Sequence, residues 1–200
     1  GAREEFRLAK QEINRFRNGM RVWAVPGNHD TDATDTDAEI WREELQLPPY
    51  QKTSLGGVPV FLLNSGNAGM LDARQLAWFK GEAALIPPNQ EVLVIAHHPS
   101  FFYRWSETGL KRILAETFAN HQAVVWVIGG HGHAFGDYML INGSTRFIQM
   151  EVTSANPKSN NDGNAPGYAL LALQNGRVVH RMFRSLKETG FRSLKPPSQI

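Results

Sequence analysis

The sequence predicts an α/β (α+β) protein built on a mixed β-sheet, or on two sheets packed face to face, with helices on the outside. Residues 3–133 alternate amphipathic helices with short, continuous apolar strands, the type that is buried on both faces. After residue 133, strands follow one another without helices, and Asn175-Gly176 is a hairpin signal. This order of elements favours a sheet core covered by helices.

The helices are predicted from apolar residues at helical spacing and from the residues at their boundaries. In the first helix, Phe6, Ile13 and Phe16 share one face, and Asn18-Gly19 ends it. The second opens at a Thr36-x-x-Glu39 capping box and stops before two prolines. The predicted helices are 3–18, 36–47, 71–85 and 109–119.

The strands are predicted from apolar runs that are bounded by turn residues. We expect the strand that follows Gly56-Gly57 to pair with the residues that precede these glycines. The predicted strands are 21–25, 58–65, 91–99, 123–133, 146–152, 167–173 and 177–183.

Length and composition predict one soluble domain, 1–185, and a loose tail, 186–200. A net charge of +2 is too small to indicate a nucleic acid or an anionic membrane as a partner. The chain contains no cysteine, which excludes disulfides and cysteine metal sites but does not choose a compartment. No apolar run is long enough to span a bilayer, and "GAREEFRLAK" is unlike a signal peptide.

Three of the predicted apolar strands end in polar clusters. The clusters are Asn28-His29, His97-His98 and His131-x-His133, and they hold five of the seven histidines. Because neighbouring strand ends converge in open α/β sheets, we expect these clusters to meet in space. Imidazole nitrogen and a neutral amide oxygen suit borderline and moderately hard divalent ions. His29 need not be a ligand, since a histidine that points at the substrate can act as a general acid.

In their order along the chain, "GNHD", "HHP" and "GHGH" resemble the motifs of the calcineurin-like metallophosphoesterase superfamily. This superfamily includes purple acid phosphatases and cyclic nucleotide phosphodiesterases. "LLNS" before "LDARQLAWF" and the closing strands fit it as well. The resemblance implies two packed mixed sheets flanked by helices, and a phosphoester as the small-molecule substrate. Monoesters, diesters, cyclic nucleotides and pyrophosphates all remain open.

The resemblance also implies a site with two divalent or trivalent ions of Mn, Fe or Zn. By position, Asn28, His97 and His131 would bind the second ion, and His133 would bind the first. His29 would lie near the substrate phosphate, where it would stabilise charge or protonate the leaving group. Hydrolysis would proceed by in-line attack of a hydroxide that the two ions activate.

Two motifs that open the family pattern are missing. There is no Asp-x-His, and the one Gly-Asp, Gly136-Asp137, comes after the histidine motifs. We therefore expect a fold that lacks its first strands and a chain that alone binds at most one ion. The missing part would belong to a longer protein, the interpretation we favour, or to a second chain. The alternative is a catalytically inactive relative that serves as a metal-binding or interaction module.

Several other polar residues have simpler interpretations. Asp30 is expected to shape its turn, and His98 to bond groups behind the ligands. Arg104 could contact a phosphate, although plain packing is at least as good an interpretation. His121 and His180 have no partner in the sequence pattern and receive no role.

Overall fold

The computed structural model describes residues 3–30, 38–66, 69–98, 109–131, 136–151, 167–185, 192–193 and 198–199. Its helices are α1 (Arg3–Arg17), α2 (Glu39–Leu45), α3 (Ala73–Ala84) and α4 (Leu110–Thr117). Its strands are β1 (Gln51–Leu55), β2 (Val58–Leu63), β3 (Val92–Ala96), β4 (Val124–Gly129), β5 (Gly136–Asn142), β6 (Thr145–Glu151), β7 (Gly167–Gln174), β8 (Arg177–Ser185), β9 (Arg192–Ser193) and β10 (Ser198–Gln199). Among these helices, none has the length and apolarity that crossing a membrane requires.

The main sheet has parallel apolar strands in its middle. Its seven strands run in the order β1-β2-β3-β4-β6-β5-β10. β2, β3, β4 and β6 pair in parallel, and β3 (VLVIA) and β4 (VVWVIG) are almost fully buried. Continuous apolar runs suit such strands because both faces are covered. With α3 and α4 as the crossovers, β2, β3 and β4 all end at the same edge of the sheet.

Each face of the main sheet packs against a different layer. On one face, Phe79 of α3 and Leu114 of α4 join a core with Phe61 of β2. On the other face, Trp126 of β4 packs in a cluster with Leu171 of β7. Strands β7, β8 and β9 form the second sheet. The predicted fold, packed sheets with helices outside, is confirmed.

Two hairpin turns contact each other at the end of the main sheet where β3 begins. The N–H of Gly176 donates to the carbonyl of Gly56 at 2.9 Å, and Gln90 Nε2 donates to the carbonyl of Gly57 at 2.9 Å. Asn175 and Gly176 have φ angles of 52° and 75°, the left-handed values that a tight two-residue hairpin turn needs. The predicted Asn175-Gly176 hairpin is confirmed, and it is tied to the β1–β2 hairpin.

The predicted strand at 21–25 does not form. Trp23 and Val25 are partly buried against the core between the sheets, so the apolar pattern does indicate a packed segment. A strand also needs hydrogen bonds to a neighbouring strand, and no described strand pairs with this segment. The apolar run at 21–25 therefore indicates that the segment is buried, but it does not indicate that the segment pairs in a sheet.

Two further boundaries differ from the prediction. Helix α2 begins at Glu39 after a left-handed Ala38 that makes no side-chain cap bond, so the predicted start at Thr36 is wrong. Thr36 itself lies outside the described residues. Strand β5 was not expected, although Asn142-Gly143 is a turn signal and joins β5 to β6. The domain limits stay a prediction, and β9 and β10 fall in the expected tail.

Buried Gln75 ties α3 to the end of β2. Its Oε1 accepts the N–H of Asn64 at 2.9 Å, and its Nε2 donates to the carbonyl of Asn64 at 2.8 Å. Its own N–H donates to Asp72 Oδ1 at 2.8 Å, which caps the helix. The side-chain amide of Gln75 therefore satisfies the buried N–H and carbonyl groups of Asn64, which lies beyond the end of β2.

We expect Gln75→Met to lower the free energy of unfolding by about 2–4 kcal/mol, because two buried polar groups of Asn64 lose their partners. Arg74→Met is the matched control, since Arg74 is the exposed neighbour on the same helix and should change stability by less than about 0.5 kcal/mol. Urea unfolding measures both values. Equal effects of the two substitutions would contradict this role for Gln75.

His121 is a buried histidine that connects the loop before β3 with the turn before β6. Its Nε2 donates to the carbonyl of Gln90 at 2.7 Å, and its own carbonyl accepts from Thr145 Oγ1 at 2.8 Å. Burial lowers the pKa of His121, and the hydrogen bond to Gln90 opposes that shift in part. The side chain is therefore neutral in the folded protein near pH 7.

The pKa of His121 predicts a loss of stability in acid. As the pH falls, the histidine of the unfolded chain binds a proton first, near its ordinary pKa of about 6.5. The contribution of neutral His121 to the free energy of unfolding is therefore complete above that pH and is lost as the pH falls below it. Between about pH 8 and about pH 5, the free energy of unfolding should fall less for His121→Gln than for the parent protein. The glutamine keeps a hydrogen-bond donor for the carbonyl of Gln90. Parallel curves for the variant and the parent protein would overturn this expectation.

Candidate metal centre

His97 and His131 lie side by side because the strands that precede them are parallel neighbours. β3 ends at Ala96 and β4 at Gly129. Beyond these ends, the carbonyl of His97 accepts the N–H groups of both Gly130 and His131, each at 2.9 Å. The centroids of the two imidazole rings are 5.1 Å apart. The backbone thus holds two possible ligands at one edge of the sheet.

Asn28 reaches this edge from a tight turn. The N–H of Asp30 donates to the carbonyl of Gly27 at 3.1 Å, and the N–H of Gly27 donates to Asp30 Oδ2 at 2.7 Å. A Cβ atom on Gly27 would lie 3.2 Å from Nδ1 of His97, closer than most real contacts. Glycine therefore lets the turn approach the imidazole, and the carboxylate of Asp30 is used to shape the turn.

Two polar atoms of other residues converge on the side chain of His97. Its Nε2 lies 2.8 Å from Oδ1 of Asn28 and 3.1 Å from Nδ1 of His131. One ring nitrogen offers either one proton or one lone pair, so it cannot make a full hydrogen bond to both neighbours. Oxygen and nitrogen atoms that crowd around one point are the arrangement expected of ligands to a cation.

This set of atoms fits a borderline divalent ion. With bonds of about 2.0–2.2 Å, two ligand atoms at right angles on one ion lie about 3 Å apart. The separations of 2.8 and 3.1 Å are close to that value. Within the part of the chain that is described, no group of three or more His, Cys, Asp or Glu side chains could hold a metal ion. The cluster is instead one amide and two imidazoles, and none of these three groups carries a negative charge.

His98 supports this cluster from behind. Its Nδ1 lies 2.9 Å from Ser65 Oγ, and Ser65 Oγ also accepts the N–H of His98 at 3.1 Å. Burial lowers the pKa of His98 to about 4, and the charges of His131 and His97 act in the same direction. His98 is therefore neutral near pH 7 and packs with its ring centroid 4.5 Å from that of His131.

The other predicted site residues are placed as follows. His29 is exposed, follows Asn28 in the turn, and is not one of the three converging ligands. His133 lies outside the described residues, so its place stays a prediction. The structure therefore brings together Asn28, His97 and His131.

Sequence reasoning missed the polar groups behind the ligands. Ser65 and Gln75 both contact the end of a central strand, and neither was assigned to the site. The available signal was that Asn64-Ser65 follows β2 just as two histidines follow β3. Arg104 lies outside the described residues.

One family of known proteins matches most of this chain. The sequence model of the calcineurin-like phosphoesterases matches residues 2–135, which is more than half of the chain and includes all three polar strand ends. A comparison with curated protein sequences gives no match. The chain therefore belongs to the calcineurin-like phosphoesterase family.

Proposed function

We propose that the chain is the histidine-bearing part of a metal-dependent enzyme that hydrolyses phosphate mono- or diesters. Membership of a phosphoesterase family supports the reaction class. The observation that carries the proposal is the convergence of Asn28 Oδ1 and His131 Nδ1 on His97 Nε2, at 2.8 and 3.1 Å. One ring nitrogen cannot make a full hydrogen bond to both neighbours, whereas one cation could bind all three atoms.

In this proposal, Asn28, His97 and His131 hold one ion of a pair, and His133 helps to hold the other. The ions are divalent or trivalent Mn, Fe or Zn. Such ions, when bound, polarise phosphoryl oxygens and make water a good nucleophile at neutral pH. The protein's part is to hold its ligands in place. The hydrogen bonds that the carbonyl of His97 accepts and the packing of neutral His98 support this role.

We also propose that carboxylate ligands come from outside these 200 residues, from another segment of a longer protein or from a second chain. Three neutral ligands leave the charge of an ion uncompensated, and two ions close together repel each other. The sequence contains no Asp-x-His motif, with which the family pattern begins. A bridging carboxylate would offset the repulsion and bring the second ion into place.

His29 is proposed to act on the substrate phosphate and not on the metal. It is exposed beside a ligand, and the three converging atoms belong to other residues. At that position an imidazolium could stabilise phosphoryl charge or protonate the leaving oxygen. We expect a small-molecule phosphoester as the substrate and no nucleic acid, because the net charge is only +2.

The second candidate function is an inactive metal-binding or interaction module. The observation that favours it is that none of the three side chains in the cluster is a carboxylate. Such a module would bind one ion weakly and would not hydrolyse phosphoesters, even when the upstream motifs are restored. The experiments below separate the two functions.

In the whole metal-loaded enzyme, His29→Ala should lower kcat by about a hundredfold to ten-thousandfold and leave the metal content unchanged. The loss should be smaller for aryl phosphates with good leaving groups if His29 donates a proton. His180→Ala is the matched control, because His180 is an exposed histidine on β8, far from the cluster in sequence. Loss of metal in parallel with activity would make His29 a ligand instead.

The 200-residue chain alone should bind at most one ion, weakly, and should show little or no hydrolysis of an aryl phosphate ester. Loss of a residue that only supports a metal ligand typically lowers metal affinity by about 10- to 100-fold. His131→Ala should lower the metal affinity of the chain by more than this, and His180→Ala should leave it unchanged. Equilibrium dialysis with Mn²⁺ and Zn²⁺ measures both effects. A longer protein with Asp-x-His and Gly-Asp upstream should bind two ions and be active. Two tightly bound ions and full activity in the 200-residue chain would contradict the proposal.

A further inference from the structure

We propose that the chain has a second polar site, an anion-binding cavity at the end of the main sheet opposite the histidines. The cavity has a volume of about 310 Å³. Its polar lining consists of Asn89, Glu91, Gln122, Arg146 and Arg177. The remaining lining is small and apolar, so the chemistry of the cavity is decided by these five side chains.

The cavity is separate from the candidate metal centre. Glu91 immediately precedes β3, and Gln122 lies just before β4, whereas His97 and His131 follow those two strands. At about 3.3 Å per residue, the six residues from Glu91 to His97 span about 20 Å. An ion in the metal centre and a ligand in this cavity could not share a contact.

Two arginines from different sheets give the cavity its charge. Arg146 lies on β6 of the main sheet, opposite Val124 of β4, and Arg177 begins β8 of the second sheet. Within the described part of the chain, neither guanidinium forms an ion pair with a carboxylate. Two positively charged side chains therefore line the cavity, and within the described residues neither is paired with a carboxylate.

Glu91 is the carboxylate of the cavity, and it is already engaged. Its Oε2 accepts the indole N–H of Trp126 at 2.7 Å and the backbone N–H of Val178 at 3.0 Å. The second bond holds the backbone next to Arg177 against the start of β3. Glu91 thus positions Arg177 through the backbone of the neighbouring Val178. With two arginines and one glutamate, the five polar side chains together carry a net charge of +1.

These features select a small anion with a phosphate or carboxylate group. A guanidinium presents its N–H donors in a planar fork that matches such groups, and two forks from different strands suit an anion with several oxygens. Asn89 and Gln122 add side-chain amides that can donate or accept. An apolar ligand would displace water from the two guanidinium groups without offering them a partner, which is costly.

The test is a titration of the chain with inorganic phosphate or succinate, followed through the Trp126 indole N–H in ¹H–¹⁵N NMR spectra. Trp126→Phe assigns that signal, and its bond to Glu91 makes it a reporter for the cavity. We expect a saturable shift with at least one of the two anions, and the comparison tells which group is preferred. Sodium chloride at matched ionic strength should give no saturable shift.

Arginine variants decide whether the cavity binds the anion. Arg146→Gln and Arg177→Gln should each weaken binding by about tenfold or more, because each removes charge-assisted hydrogen bonds. Arg146→Lys, which keeps the charge, should lose less than Arg146→Gln. Arg112→Gln is the control, since Arg112 is exposed on α4 and pairs with Glu116 of the same helix. No saturable shift, or unchanged affinity in both Gln variants, would overturn the proposal.

Discussion

The parallel pairing of β3 with β4 is the interaction on which the candidate metal centre depends. The register pairs Ile95 with Ile128, and beyond the strands the carbonyl of His97 accepts the N–H groups of Gly130 and His131. A shift of the pairing by one residue would turn each side chain to the opposite face of the sheet. Val125 and Val127 pack in the core on one face and Trp126 packs in the core on the other, so such a shift would disrupt both cores. Packing thereby sets the distance between the two imidazoles.

The polar groups at the strand ends are satisfied by neighbours that also position the side chains of the candidate metal centre. Gln75 bonds the backbone of Asn64, the next residue Ser65 bonds His98, and the ring of His98 packs on that of His131. Each of these groups is buried or partly buried, and an unpaired one would cost about 1–3 kcal/mol. The packing of α3 on the sheet is thereby connected to the orientation of an imidazole.

The two ends of the main sheet carry opposite kinds of chemistry. At the carboxyl ends of β3 and β4, neutral oxygen and nitrogen atoms converge where a cation would bind. At the amino ends, two arginines line a cavity whose one carboxylate already bonds Trp126 and the backbone of Val178. The apolar strands between them keep the candidate metal centre and the cavity about 20 Å apart.

Patterns along the chain were enough to predict four helices, most strands, the layered fold and the polar clusters at the strand ends, because periodicity and turn residues act locally. They were wrong for 21–25 and for the start of α2, since an apolar run indicates burial whether or not a neighbouring strand is present. The sequence also predicted that Asn28 would meet His97. Only the tertiary structure decided the contact between them, because the two are 69 residues apart and the glycine before Asn28 must leave room for the ring. The shared carbonyl of His97, the support from Ser65 and the arginine cavity likewise depend on strand order and register, which pair residues by space and not by sequence.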